Sequence, residues 1–231
     1  MLAPSSAEKL EEPISGTSCS RLTLLHREID GCRFCERKFT INLLKPQGME
    51  RGPADAGVMC IGQSPGKSAI SSGIAFAGNS FSRLHSWFAT AGFTGTDSDL
   101  RNSLYLTSLL KCGSQEDTAA TRAKMFRRCQ EFLWSQINFV KPTFILLLGK
   151  DAVSHILPRV GNAEFAGVIG RSYTTSQVFA GDLLPPVQWD CHWIPLPHPS
   201  GLSRMMNDSE VQAKVFAALT GVNVFLAKSK Q

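Results

Sequence analysis

The sequence predicts an α/β fold of three layers, a central, mostly parallel four-stranded sheet flanked by helices. Two observations predict it. Four short apolar runs recur, at Val58 to Ile61, Leu104 to Leu110, Phe144 to Leu148 and His192 to Leu196, and runs of this length bounded by turn residues read as strands. Between them lie stretches with helical spacing, and alternation of strand with helix implies a parallel sheet covered on both faces.

Residues 1–20 are rich in Ser, Pro and Glu without apolar periodicity, so they read as a flexible tail before a single domain over 21–231. After the first strand, Phe81, Leu84, Trp87, Phe88 and Ala91 recur at steps of three and four, which gives one helix an apolar face. Thr118 to Ile137 reads as a second helix, with Ala123, Phe126, Phe132 and Leu133 apolar among basic residues. Asp208 or Ser209 can cap a last helix through Val211, Val215 and Leu219. Ligands of such sheets bind beyond the carboxyl ends of the strands. The loops to inspect are therefore Gly62 to Gly66, Lys111 to Gly113, Gly149 to Lys150 and His198 to Arg204.

With 43% hydrophobic and 19% charged residues among 231, the composition excludes disordered and collagen-like classes. The apolar stretch around Phe144 to Leu148 is far shorter than the roughly 18 residues of a membrane span. Met1 to Ser20 shows no basic start followed by an apolar run, so an intracellular location is expected. Net charge is +5; the first twenty residues carry Lys9 against Glu8, Glu11 and Glu12, a net −2, which leaves +7 on the body. A basic body suits a polyanionic partner.

In a reducing compartment, spaced cysteines argue for metal or catalysis before disulfides. Cys32 and Cys35 form a Cys-x-x-Cys pair, Cys112 follows the second strand and Cys129 lies on the next helix. Cys60 sits inside an apolar strand, Cys19 belongs to the tail and Cys191 has no close partner, so these three are set aside. Four thiolates bind either zinc or an iron-sulfur cubane, and spacing does not separate the two.

Taken together and in order, these motifs resemble the iron-sulfur uracil-DNA glycosylases, the fourth family of the uracil-DNA glycosylase superfamily, over roughly residues 24 to 220. Cys32-Arg33-Phe34-Cys35 is similar to that family's N-terminal pair, Tyr105 to Cys112 to its strand ending in Lys-Cys, and Cys129 to its fourth ligand. The resemblance implies a [4Fe-4S] cluster on Cys32, Cys35, Cys112 and Cys129, with a structural task; zinc is the competing occupant. Gly62-Gln63-Ser64-Pro65-Gly66 resembles the first motif, which holds the catalytic water and touches the DNA backbone. Phe76, within Ser72 to Gly78, resembles the aromatic residue that stacks on an extruded base.

His198-Pro199-Ser200-Gly201-Leu202-Ser203 resembles the second motif, and Gly-Leu-Ser-Arg through Arg204 is also how the mismatch-specific uracil glycosylases write it. An imidazole at the base carbonyl stabilises the negative charge that develops as the glycosidic bond breaks. Leu202 reads as the apolar wedge that fills the gap in the duplex. Pro65, Gly66, Lys67, Ser200, Gly201, Ser203 and Arg204 read as DNA contacts that fix register without reading sequence. His198, Gln63 and Ser64 are the expected catalytic residues, with Gly62, Phe76, Ser108 and His198 around the base.

Two departures fall in the expected pocket. Gln63 stands where the fourth family has Glu, and Ser64 where classical uracil glycosylases have Asp, so neither carboxylate is present. Neither replacement is a general base at neutral pH, which forfeits a factor often of roughly 10² or more. Ser108 stands where an Asn usually reads the Watson-Crick edge, and Asn79 and Asn207 are candidate substitutes. Lys67, Lys111 and Lys150 lie near motif loops and read as phosphate contacts before nucleophiles. The resulting expectation is a monomeric, monofunctional glycosylase acting on uracil or a related deaminated base in DNA, in base excision repair. The competing expectation is a damage- or abasic-site-binding protein of the same fold. A zinc hydrolase would need a His and carboxylate cluster that the sequence does not show.

Overall fold

The computed structural model describes residues 18–46, 48–116, 118–157, 165–180, 186–200 and 203–228. Most of the expected tail thus lies outside the described residues, whereas Ser18 to Ser20 already belong to the first helix.

The chain starts with α1 (Ser18–Gly31) and α2 (Phe34–Phe39), then β1 (Leu43–Leu44), which pairs antiparallel with the equally short β4 (Gly113–Ser114). The main sheet holds the four expected strands, β2 (Val58–Gly62), β3 (Leu104–Ser108), β5 (Phe144–Leu148) and β7 (His192–Leu196). They are parallel, in the order β3-β2-β5-β7. The sheet has five strands rather than four, because β6 (Tyr173–Thr174) adds antiparallel to β7. Two residues carry no periodicity, so this strand left no mark in the sequence.

The connections are α3 (Lys67–Ser72), α4 (Asn79–Thr90), α5 (Asp97–Arg101), α6 (Ala119–Val140), α7 (Lys150–Ile156), α8 (Phe165–Val168) and α9 (Thr175–Val178). A 3₁₀ turn (Met205–Asn207) precedes α10 (Ser209–Lys228). The helix ends follow local chemistry. Thr118 accepts the Thr121 amide to start α6, and Asp208 accepts the amides of Glu210 and Val211 to start α10. By length and composition α10 could cross a bilayer; here its stripe of Val211, Val215, Leu219, Val222 and Leu226 is buried with Phe81, Leu84 and Phe88 of α4.

Alternation along the strands builds two cores. Met59, Ile61, Tyr105, Ile145, Leu147 and Trp193 face the layer that contains α1 and α6. Val58, Cys60, Leu104, Leu106, Leu146 and Leu148 face the layer of α4 and α10. Gly62 lies beside Ser108, and Leu148 beside Leu196, so the strands end together and their following loops open on one edge.

Candidate functional site

A cavity of about 210 Å³ opens at that edge. Gly62, Ser64, Pro65 and Gly66 come to it from the loop after β2, and Phe76 from the loop between α3 and α4. Thr107, Ser108 and Lys111 come from the end of β3, and His198 and Ser200 from the loop after β7. Phe76 and His198 therefore share one hollow. Its volume is below the roughly 300–1,000 Å³ of sites for drug-sized ligands and suits a single flat ring.

Phe76 holds a left-handed backbone, φ 58°, which costs a non-glycine residue of order 1–3 kcal/mol and persists only where the surroundings impose it. Those surroundings are visible. The Ala75 amide donates to Glu50 O, Arg101 donates to Ala75 O at 2.8 Å, and the ring tip rests on Gly62, where a Cβ would lie 2.9 Å from Phe76 Cζ. Only a glycine at the end of β2 lets the ring lie so close to the strand.

His198 is half-buried, and burial lowers its pKa against a smaller upward pull from Asp151. The Ser200 amide donates to His198 Nδ1 at 3.1 Å, so the neutral ring carries its proton on Nε2. The imidazole is thereby fixed as a donor. Gly149, φ 94°, leaves it room, because a Cβ there would lie 3.0 Å from His198 Cβ.

Ser64 lines the cavity, but Gln63 does not. The Gln63 Nε2 donates to Asp151 Oδ2 at 2.5 Å, and both residues border a separate small hollow with Arg122 and His155. No motif signalled Asp151, which lies in α7 just beyond the Gly149 to Lys150 loop, because its link to Gln63 spans the ends of two strands. No carboxylate belongs to the described lining of the main cavity.

At the β3 end the Ser108 hydroxyl donates to Leu110 O at 2.6 Å, so only its lone pairs can serve a ligand. Lys111 is not the surface phosphate contact the sequence suggested. It is buried, and its Nζ donates to Thr107 Oγ1 at 3.0 Å and to Ser108 O at 2.6 Å. Burial lowers its pKa to about 7, against the upward pull of Cys129. Arg51, whose guanidinium donates to Met49 O and Asp30, also borders the cavity, and no motif signalled it.

A second hollow adjoins the first through His198, bordered by Arg83, Ser86, Trp87, Ser203, Arg204 and Asn207. Arg83 donates to Ser200 O at 2.6 Å and so holds the second-motif loop. Lys67 and Asn79 are exposed and border neither hollow, and Asn207 reaches only the second. Gly201 and Leu202 lie outside the described residues.

The four cysteines come from the turn after α1 (Cys32), from α2 (Cys35), from the loop after β3 (Cys112) and from α6 (Cys129). Cys35, Cys112 and Cys129 are buried and Cys32 partly so, all of them unoxidised. Burial raises Cys35 to about 11, and Cys129 and Cys32 push it further up. Burial raises Cys112 to about 12, with Cys129, Cys32 and Cys35 adding to the rise and Lys45 opposing it. These shifts keep the thiols protonated and neutral when nothing is bound, so ligation as thiolates would need a bound cation to compensate the charge. Cations stand ready for that charge. Arg128 pulls Cys35 and Cys129 down, and the Lys111 amide donates to Cys129 Sγ at 3.5 Å. Among the described residues no three His, Cys, Asp or Glu side chains converge closely enough to hold a metal ion. Cys60 and Cys191 are buried core residues.

The strand ends of this mostly parallel sheet bring an aromatic side chain, Phe76, and an imidazole, His198, to one cavity. The chain belongs to the uracil DNA glycosylase superfamily, which it matches over residues 49–220, well over half its length. It is similar to three type-4 uracil-DNA glycosylases. That of Archaeoglobus fulgidus is 28% identical over 131 residues, 56% of this chain and 60% of the relative. That of Pyrobaculum aerophilum is 27% identical over 155 residues, 66% of this chain and 74% of the relative. That of Sulfurisphaera tokodaii is 23% identical over 155 residues, 66% of each. The aligned region thus spans less than two thirds of the Archaeoglobus relative.

Proposed function

We propose that the protein is a monofunctional DNA glycosylase that hydrolyses the N-glycosidic bond of deoxyuridine, or of a related deaminated nucleotide, leaving an abasic site. It acts as a monomer inside the cell, with residues 21–231 as one domain. The observation that carries this reading is the shared cavity of Phe76 and His198.

In this reading the extruded base stacks on Phe76. His198 Nε2–H donates to the carbonyl next to the glycosidic nitrogen, and that bond strengthens as the base leaves with the bonding electrons. Water adds to the sugar carbon, and the proton it loses ends, through solvent, on the departing base anion, so that charge balances. Ser64 orients that water from the cavity wall. Gln63, tied through Nε2 to Asp151 beside a separate hollow, does not touch that water in this arrangement. Ser200, Ser203, Arg204, Pro65, Gly66 and Lys67 contact the backbone, with Gly201 and the wedge Leu202 beside them.

Cys32, Cys35, Cys112 and Cys129 hold a [4Fe-4S] cluster. When bound it cross-links the first two helices, the loop after β3 and α6, and takes no part in catalysis.

A second reading is favoured by one observation, the lack of a carboxylate in the described lining of the cavity. In that reading the protein binds damaged or abasic DNA without efficient chemistry. A uracil oligonucleotide incubated with protein and then treated with alkali separates the two. Strand cleavage that falls about 10²- to 10³-fold in His198→Ala supports the enzyme. Tight binding without cleavage supports the binder.

A further inference from the structure

The β3 side of the cavity ends a chain of hydrogen bonds whose direction is fixed throughout. Gln136 Nε2 donates to Tyr105 OH at 2.8 Å, so the tyrosine proton goes to His26 Nε2 at 2.7 Å. Thr107 Oγ1 donates to Gln136 Oε1 at 2.9 Å, which leaves it to accept from Lys111 Nζ. The ammonium spends a second hydrogen on Ser108 O. In its charged form Lys111 has three donors and no acceptor, whereas the neutral amine would spend both hydrogens on Thr107 and Ser108 and turn a lone pair to the cavity. Lys111 borders the cavity, and the third hydrogen of the charged form has no partner among these groups.

Position decides which part of a base would meet it. In the proposed reading His198 Nε2 meets the carbonyl next to the glycosidic nitrogen, so the sugar lies on the His198 side of the cavity. Lys111, 5% exposed, stands deep, on the far side of β2 and β5 from His198. A pyrimidine stacked on Phe76 with its sugar outside points its 4-position inward. Ser108, with its proton committed to Leu110 O, supplies no competing donor there.

We infer that Lys111, locked by Thr107 and Ser108, donates to the inward carbonyl of the extruded base and is the residue that separates carbonyl-bearing deaminated bases from their amino-bearing parents. An amino group at that position would meet a donor with a donor and leave both unpaired in a buried site. This rests on the reading that the cavity receives a base.

The test is equilibrium binding of the full chain to oligonucleotides with a 2′-fluoroarabino sugar, which resists cleavage. One carries uracil and one 4-thiouracil, whose sulfur accepts poorly while its ring N–H is kept. The parent protein is expected to prefer uracil by about tenfold or more. Lys111→Met, similar in length, should abolish that preference, and Thr107→Val should reduce it while leaving Lys111 in place. Should Lys111→Met not fold, Thr107→Val decides. Equal binding of both oligonucleotides by the parent, or an unchanged preference in the folded variants, overturns the assignment. Loss of the alkali-dependent cleavage with an intact Lys111-dependent preference would overturn the enzyme reading and spare this one. Failure to distinguish a uracil oligonucleotide from an undamaged one overturns both.

Discussion

Around the cavity, side chains hold conformations that cost stability. Phe76 is left-handed and half exposed, His198 depends on one amide for its tautomer, and the Gln63 amide is tied to a carboxylate at the surface. Around the four cysteines the opposite holds, with three of them buried and cations arranged about them. One short loop, Ser108 to Cys112, serves both regions. The contrast is one of exposure, since left-handed backbone occurs on both sides, at Phe76 and at Thr40 beside Cys35, and substitutions should divide into those on the receiving side, at the cavity, that remove ligand binding and those on the pinning side, at the cysteines, that remove stability.

The largest effect is expected at the pinning side. Cys129→Ser should remove any visible absorption and destabilise the fold by about 3 kcal/mol or more, since cluster binding is folding energy, a fall of roughly 6–12 °C in Tm for a chain of this size. An unchanged melting curve would erase the contrast. On the receiving side, Phe76→Gly should weaken binding of a uracil oligonucleotide about five- to 150-fold through lost stacking. Its stability should stay within about 1 kcal/mol of the parent, because release of left-handed strain opposes the lost burial. Anisotropy and thermal melts of the same sample read both.

The smallest effect concerns His26, which burial, with Arg51 and Lys111 adding, lowers to about 4 from 6.5. The unfolded chain then binds a proton that the folded chain refuses between those values. The neutral ring's contribution is complete above pH 6.5 and fades as pH falls towards 4. The melting temperature should decline over that window, and His26→Gln should flatten part of the decline. A slope identical to the parent's would remove the relay from the list of stabilising features.

Much of this was legible beforehand. The apolar runs placed the four parallel strands, and local motifs singled out Phe76 and His198, which border one cavity, His198 two residues beyond β7 and Phe76 in the loop between α3 and α4. The aim of the Gln63 side chain was not legible, since it depends on Asp151 across two strands. Lys111 read as a surface cation because sequence shows charge and not burial, and Gln136, which holds its partner Thr107, belonged to no motif. The first helix was hidden by the polar residues before it, although Leu22, Leu25 and Ile29 do form a buried stripe.

The missing side chain at residue 149 limits how this protein can change. With the imidazole almost touching that bare backbone, a lineage selecting for a bulkier ligand gains no space by remodelling β5, since any added methyl would dislodge His198, to which the proposed reaction is assigned. Widening has to begin on the opposite wall, in the segment leading to α4, where the aromatic plate hangs from a loop and not from the sheet. Divergence in substrate preference should therefore accumulate there first.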